Sequence, residues 1–341
     1  MLTIINDTHL GVRRSAGTTK ESQYALSQYI LGAFSNLLEL ANGGDLLING
    51  DLFDRFEVDK LTEFETFRML VQWLRRNHSC RLFLAAGNHD LSRDSSRRSS
   101  FDNLCQYLRS FAPAQVVEIN GELYCTDKWG VIPHMANQEL FDAELEKALN
   151  ADIKHLFLHC NYDNNFAAQA DHSLNLSAEQ ASKFAERGIT LVLAHEHNKR
   201  RVGNVVIVGN QIATSVADLV NDHGDKQYAV LRDGELTLEN FWPVSELYAA
   251  VDWQNELPEG AAFIRVEGEA DYSQAAEVVE RIAAWRKQSD AFVITNAVRV
   301  GTMDTGHLAE DVRSEKFDIW QTLLSHLPED LRTMAEELRS A

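Results

Sequence analysis

Long apolar runs are missing from this chain. No window approaches the roughly 18 consecutive apolar residues of a membrane-spanning helix, so no span is expected. Residues 1–11, the first apolar stretch, already carry Asp7 and His9, which is expected to leave no room for a secretory leader ahead of them. Cysteine is scarce as well. Its four copies, Cys80, Cys105, Cys125 and Cys160, are scattered without a C-x-x-C pair. That argues against a disulfide scaffold and for reduced, mostly buried thiols in a cytoplasmic protein. There is no internal repeat, and the only mildly low-complexity stretch is the Ser/Arg-rich segment 92–100. Positive charge is the remaining shortage, with 32 basic against 51 acidic residues and a net charge of −19. An evenly acidic surface would repel nucleic acid, so the distribution decides. Residues 244–341 hold 19 acidic and 9 basic side chains, while residues 1–243 hold 32 and 23. The acidity is weighted toward the C-terminal part.

What is present is ordinary globular material, 45% apolar and 24% charged over 341 residues, enough for one large domain and a smaller one. Apolar runs at 2–5, 45–49, 81–86, 154–158 and 189–194 predict buried strands, and helical spacing over 21–41, 59–77, 138–149 and 177–187 predicts helices between them. This alternation predicts an α/β sheet with its site at the strand ends. A helix near 101–110, short strands at 115–119, 122–126 and 129–132, and hairpin-like strands over 204–242 complete a first domain expected to end near residue 243. Residues 262–300 read as strand, helix, strand, and 315–341 as an amphipathic helical tail carrying Phe317, Trp320 and Leu324.

Five strand ends present polar residues in series: Asp7-x-His9, Asp51-x-x-Asp54, Asn88-His89-Asp90, His159 and His195-x-His197. Each alone is commonly a turn, a helix cap or a satisfied histidine. Together, at successive strand ends, they point to converging ligands. Oxygen and imidazole donors without thiolate suit manganese, iron or zinc, and the set exceeds the needs of one ion. A binuclear site with a bridging carboxylate fits better.

The series Asp7-Thr-His9, Gly50-Asp51-Leu-Phe-Asp54, Gly87-Asn88-His89-Asp90, His159 and His195-Glu-His197 resembles the complete motif set of the calcineurin-like metallophosphoesterases. Two departures, Ala194 and Leu158 where that family often has glycine, remove no ligand. Within the superfamily the chain looks most like the SbcD-type DNA repair nucleases, including phage members, through Asp7-Thr-His-Leu-Gly11, Gly50-Asp51-Leu-Phe-Asp54 and the Ser-rich loop after Asp90. The resemblance implies a β-sandwich flanked by helices over 1–243, a small α+β capping domain over 244–303, and a helical tail over 304–341. It implies one metal on Asp7, His9 and His197, a second on Asn88, His159 and His195, and Asp51 bridging them. The two divalent ions are expected to be Mn2+, with Mg2+, Fe2+ or Zn2+ as alternatives, and to activate a hydroxide for phosphodiester hydrolysis. His89 is implied as the catalytic residue beside the phosphate, with Asp54 or Asp90 orienting it. The tail is implied to dock on an SbcC-like, SMC-type ATPase. Packing on its own chain or on a second copy in a homodimer is the alternative.

The basic residues supply a separate line toward DNA. Arg13 and Arg14 follow the first motif, Arg55 the second, Arg93, Arg97 and Arg98 the third, and Lys199, Arg200 and Arg201 the last. A shared rim would make them a cationic collar that tracks phosphates; the alternative is that they are merely solvated. The leading expectation is a metal-dependent DNA nuclease. A phosphoesterase acting on small molecules or phosphoproteins is the second, and a non-catalytic scaffold is the third, opposed by the intact ligands.

Overall fold

The strands that carry the candidate ligands are buried on both faces, and a layered architecture is the reason. In chain order the strands are β1 (Leu2–Ile5), β2 (Asp45–Asn49), β3 (Leu82–Ala85), β4 (Val116–Ile119), β5 (Tyr124–Cys125), β6 (Trp129–Ile132), β7 (His155–His159), β8 (Asn161–Tyr162), β9 (Asn175–Leu176) and β10 (Thr190–Ala194). They continue as β11 (Arg200–Val202), β12 (Val205–Ile207), β13 (Asp225–Arg232), β14 (Glu235–Pro243), β15 (Tyr248–Asp252), β16 (Phe263–Glu267), β17 (Glu269–Ala270), β18 (Val293–Asn296) and β19 (Arg299–Val300). The helices are α1 (Lys20–Leu40), α2 (Lys60–Arg76), α3 (Ser100–Phe111), α4 (Gln138–Leu149), α5 (Ala178–Glu186), α6 (Ala217–Val220) and α7 (Ala275–Gln288). This computed structural model describes residues 1–13, 19–91, 97–166, 173–220, 225–243 and 245–301. Arg14, Arg93 and the tail 304–341 with Phe317, Trp320 and Leu324 lie outside the described residues.

Two six-stranded sheets form, in the orders β14-β13-β1-β2-β3-β4 and β11-β12-β10-β7-β6-β5. β1 to β4 run parallel, as do β12, β10, β7 and β6. Parallel neighbours need crossovers, and α1, α2 and α3 supply them in the first sheet. Alternate side chains go to opposite faces of a strand. Leu2, Ile4, Leu47, Phe83, Phe157 and Val192 therefore meet in the core between the sheets. Ile5, Leu46, Ile48, Leu82 and Leu84 pack outward with α1, α2 and α3, through Phe34, Leu70 and Leu104. Leu156, Leu158, Leu191 and Leu193 do the same against Phe141 of α4 and Phe184 of α5. The fold is a mixed α/β architecture in which the sheets are flanked by helices.

Local signals set the helix starts. Asp59 accepts from the Thr62 N–H at 3.1 Å to cap α2, and Ser99 with Asp102 forms a capping box on α3. Ser177 and Gln180 repeat that box on α5. The chain divides into two compact units, one of Met1–Gly268 with Val278–Val298 and one of Glu269–Glu277 with Arg299–Ala341. In the first, β15, β16 and β18 form a parallel three-stranded sheet. Tyr29 of α1 packs against this sheet, 6.1 Å from the Phe263 ring and 5.5 Å from Phe292. In the second, β17 pairs with β19. The strand, helix, strand expected over 262–300 is present, with α7 preceded by a short 3-10 turn at Tyr272–Gln274.

Candidate metal centre

The motif series does not lie along one sheet edge. Its first three members follow β1, β2 and β3 of one sheet, while His159 ends β7 and His195-x-His197 follows β10 of the other. The two edges are held together by polar groups. The His195 N–H donates to Asp7 Oδ1 at 3.1 Å and Oδ2 at 3.0 Å, and Asn49 Nδ2 donates to the Leu158 carbonyl at 3.1 Å. Past the strands, the Asp7 N–H reaches the Gly50 carbonyl at 3.2 Å and the His9 N–H reaches that of Asp51 at 3.1 Å.

Asp7, His9, Asp51 and His195 all sit at positive φ, 49°, 45°, 48° and 84° respectively. Non-glycine residues rarely adopt that region, and such strain persists where surrounding structure enforces it. Two glycines are required by close approach. A Cβ at Gly50 would overlap the His159 ring, and one at Gly87 would overlap the Asp51 carboxylate.

Among the described residues, three groups of donor atoms converge within 4.8 Å: Asp7, His9 and His197; Asp51, His159 and His195; and His9, Asp51 and His89. Asn88 Oδ1 lies 3.1 Å from His159 Nε2 and 3.0 Å from His195 Nδ1, so the amide joins the second group. Asp51 Oδ2 lies 3.3 Å from His159 Nε2 and 3.9 Å from His9 Nε2, between the first two groups. His9 Nε2 and His197 Nε2 face each other at 3.0 Å.

The donor set fits divalent cations. Asp7, Asp51 and His159 are each no more than 1% exposed, and buried carboxylates need a countercharge. Burial opposes ionisation of Asp51, yet His159, His9 and His89 hold its carboxyl well below the usual range. Burial would likewise lower His159, but Asp51 and Asp7 push it up to about 9, and a divalent ion would replace that proton as the countercharge. Burial lowers His9 to about 4, keeping its ring neutral and able to donate a lone pair. His9 Nδ1 is buried without a hydrogen-bond partner. Two cations would satisfy this set as oxygen and nitrogen ligands.

His89 is exposed at the rim, its ring 5.1 Å from that of His9 and edge-on to it. Its Nδ1 lies 2.5 Å from the Asp54 main-chain carbonyl, which orients the ring. The Asp54 carboxylate is 3.7 Å from His9 Nδ1 and 3.4 Å from Arg55. Asp90 has another task than the His89 partnership expected of it. It is fully buried and accepts from the main-chain N–H groups of Gly87 at 2.9 Å, Phe53 at 3.0 Å and Leu52 at 3.3 Å. It therefore ties the second and third motif loops together. Burial, with Asp51 nearby, pushes its carboxyl up to about 7.

Asp218 of α6 is a site residue that sequence reasoning missed. Its Oδ1 lies 2.8 Å from His197 Nδ1, and the residue is 3% exposed. Burial would raise its carboxyl, but His197, Thr214 and Lys226 hold it below the usual carboxylate range.

The basic residues expected to form a collar are largely paired with acids. Arg13 lies 3.5 Å from Asp59, Arg55 3.4 Å from Asp54, Arg97 3.1 Å from Glu57 and Arg200 2.7 Å from Glu196. Arg98 bonds Gln106, and Arg201 is exposed on β11. Lys199 is half-buried in the loop before β11. Arg97, Arg98 and Arg109 line a cleft of about 650 Å³ beside α3. Exposed pairs of this kind are worth little, on the order of 0–1 kcal/mol, so a phosphate can displace the acid.

The family model described as calcineurin-like phosphoesterase matches residues 1–199. No curated protein matches the chain. Among solved structures, it is similar to a cold-active protein-tyrosine phosphatase of the psychrophile Shewanella sp. at 12% identity, over 71% of this chain and 80% of that one, with a TM-score of 0.35.

Proposed function

The chain belongs to the calcineurin-like phosphoesterase family, and we propose that within it the protein is a metal-dependent DNA nuclease of the SbcD type. The family implies a metal-dependent phosphoester hydrolase with a binuclear centre. In the proposed reaction Asp7, His9 and His197 would hold one divalent ion and Asn88, His159 and His195 the other, with Asp51 between the two sets. Such a pair, Mn2+ in this reading, would supply a nucleophilic water near neutral pH and offset phosphoryl charge. The protein's own part is positional. His89, oriented by the Asp54 carbonyl, presents a rim imidazole to the leaving oxygen.

The observation that carries the DNA reading is the rim. Arginines follow the ligand loops in sequence, and Arg97, Arg98 and Arg109 share one cleft beside α3. Charge reversal at Arg97, Arg98, Arg200 and Arg201 is expected to weaken binding to duplex DNA and to flatten the dependence of affinity on salt. A filter-binding series from low to physiological salt reads both, and an unchanged slope contradicts the proposal. A phosphoesterase acting on small molecules or phosphoproteins is the second reading. It is favoured by the carboxylates paired with Arg13, Arg55, Arg97 and Arg200, which reduce the net charge a polyanion would meet.

The proposed setting is cytoplasmic, in DNA repair or degradation. Among the described residues, no helix is long and apolar enough to cross a membrane. The proposed partner is an SbcC-like ATPase docked on the tail, with homodimerisation as the competing use of those residues. Cutting the chain after residue 314 is expected to abolish ATPase capture in a pull-down; undiminished capture removes the tail from that role.

A further inference from the structure

His159 and His197, one histidine from each candidate metal position, are backed by different groups. His159 Nδ1 is backed by the Asn49 main-chain carbonyl at 3.3 Å, a neutral acceptor. His197 Nδ1 is backed by a carboxylate, Asp218 Oδ1 at 2.8 Å. Nothing in the motif series contains this aspartate. It comes from α6, after the β11–β12 hairpin, and lies 21 residues from its partner in sequence.

The second oxygen of Asp218 is fully occupied. Oδ2 accepts from the Thr214 N–H at 2.8 Å, the Ser215 N–H at 2.8 Å and the Thr214 hydroxyl at 3.1 Å. Three donors on one oxygen pin the carboxylate, so that it neither rotates nor swings toward a cation itself. A carboxylate can only accept. The Nδ1 of His197 must therefore carry a proton, which in the neutral ring leaves the lone pair on Nε2. That Nε2 is the atom facing His9 Nε2 at 3.0 Å, inside the group formed with Asp7.

We propose that Asp218 is the positioning residue of the Asp7, His9 and His197 metal position, setting the tautomer and ring orientation of His197 so that one metal is held more tightly than its neighbour. The proposal rests on the metal-centre reading above. A carboxylate behind a ligating imidazole fixes its tautomer and raises its basicity, and removing such a partner typically costs about 10- to 100-fold in metal affinity.

Asp218→Asn is the informative substitution. It keeps the side chain's volume, but Thr214 and Ser215 still demand an acceptor. The amide oxygen then turns to them, and the amide N–H groups turn to His197 Nδ1. That arrangement forces the proton onto Nε2, where it points at the metal position. Mn2+ titration of the metal-free full-length protein by calorimetry is expected to show two sites in the parent chain. In Asp218→Asn one site should weaken by about 10- to 100-fold, with the other unchanged. In a His197→Ala background, adding Asp218→Asn should cost no further affinity, because the aspartate acts only through that ring.

Unchanged affinity at both sites in Asp218→Asn, equal weakening of both, or an additive loss in the double variant each overturns the inference while leaving the metal centre standing. A parent chain that binds no Mn2+ overturns the metal centre itself and the inference with it. Should the variants fail to fold, nitrogen-15 spectra of the zinc-loaded parent decide. A proton on His197 Nδ1 is expected, and one on Nε2 overturns the proposal.

Discussion

His89→Asn is expected to leave both metal positions loaded and to lower turnover by about 10²- to 10⁴-fold, the range for losing a positioned acid or base. The expectation follows from where the residue stands. His89 shares the loop of Asn88, yet its ring is exposed whereas His9, Asp51 and His159 are buried. Its Nδ1 is committed to the Asp54 carbonyl, which leaves Nε2 as the atom to meet a leaving oxygen. The same ring nevertheless comes within 4.8 Å of donor atoms on His9 and Asp51, so a ligand role has a geometric basis too. Metal content separates the two. Two ions per chain with lost turnover on a generic phosphodiester supports the acid role. One ion per chain makes His89 a ligand, and full turnover removes it from the chemistry.

The strand ends were legible because each strand carries its own apolar run and each motif interrupts it abruptly, as at Ala85-Ala86-Gly87-Asn88. Sequence could not say that two sheets share the work. Strands buried on both faces carry no alternation that would assign a neighbour, and β1 and β7 read alike in that respect. The role of Asp90, one of the two partners expected for His89, escapes the sequence for a related reason. A carboxylate next to His89 in sequence suggests a partner for it, but the turn directs Asp90 to three main-chain N–H groups instead. Asp218 left no trace in the sequence, since a lone aspartate in a four-residue helix has no spacing that ties it to His197. The glycines behaved the opposite way. Gly50 and Gly87 stand in the motif strings, and the structure shows that they make room for His159 and Asp51.

Removing the metals is expected to abolish hydrolysis altogether. The carboxylates and imidazoles gathered around Asp51 are donors for two divalent ions, which would supply the activated water. The cluster should survive the loss as structure, because His159 supplies a compensating charge beside Asp51. Chelation is therefore expected to stop turnover without unfolding the chain.

The direct test is to digest single- and double-stranded DNA beside bis(p-nitrophenyl) phosphate with metal-free protein, before and after Mn2+ is added back. Release of nucleotides from DNA only after Mn2+ addition, alongside cleavage of the small diester, is the predicted result. Cleavage of the small ester with DNA left intact contradicts the nuclease reading, and hydrolysis that persists in chelator contradicts the metal centre on which it stands.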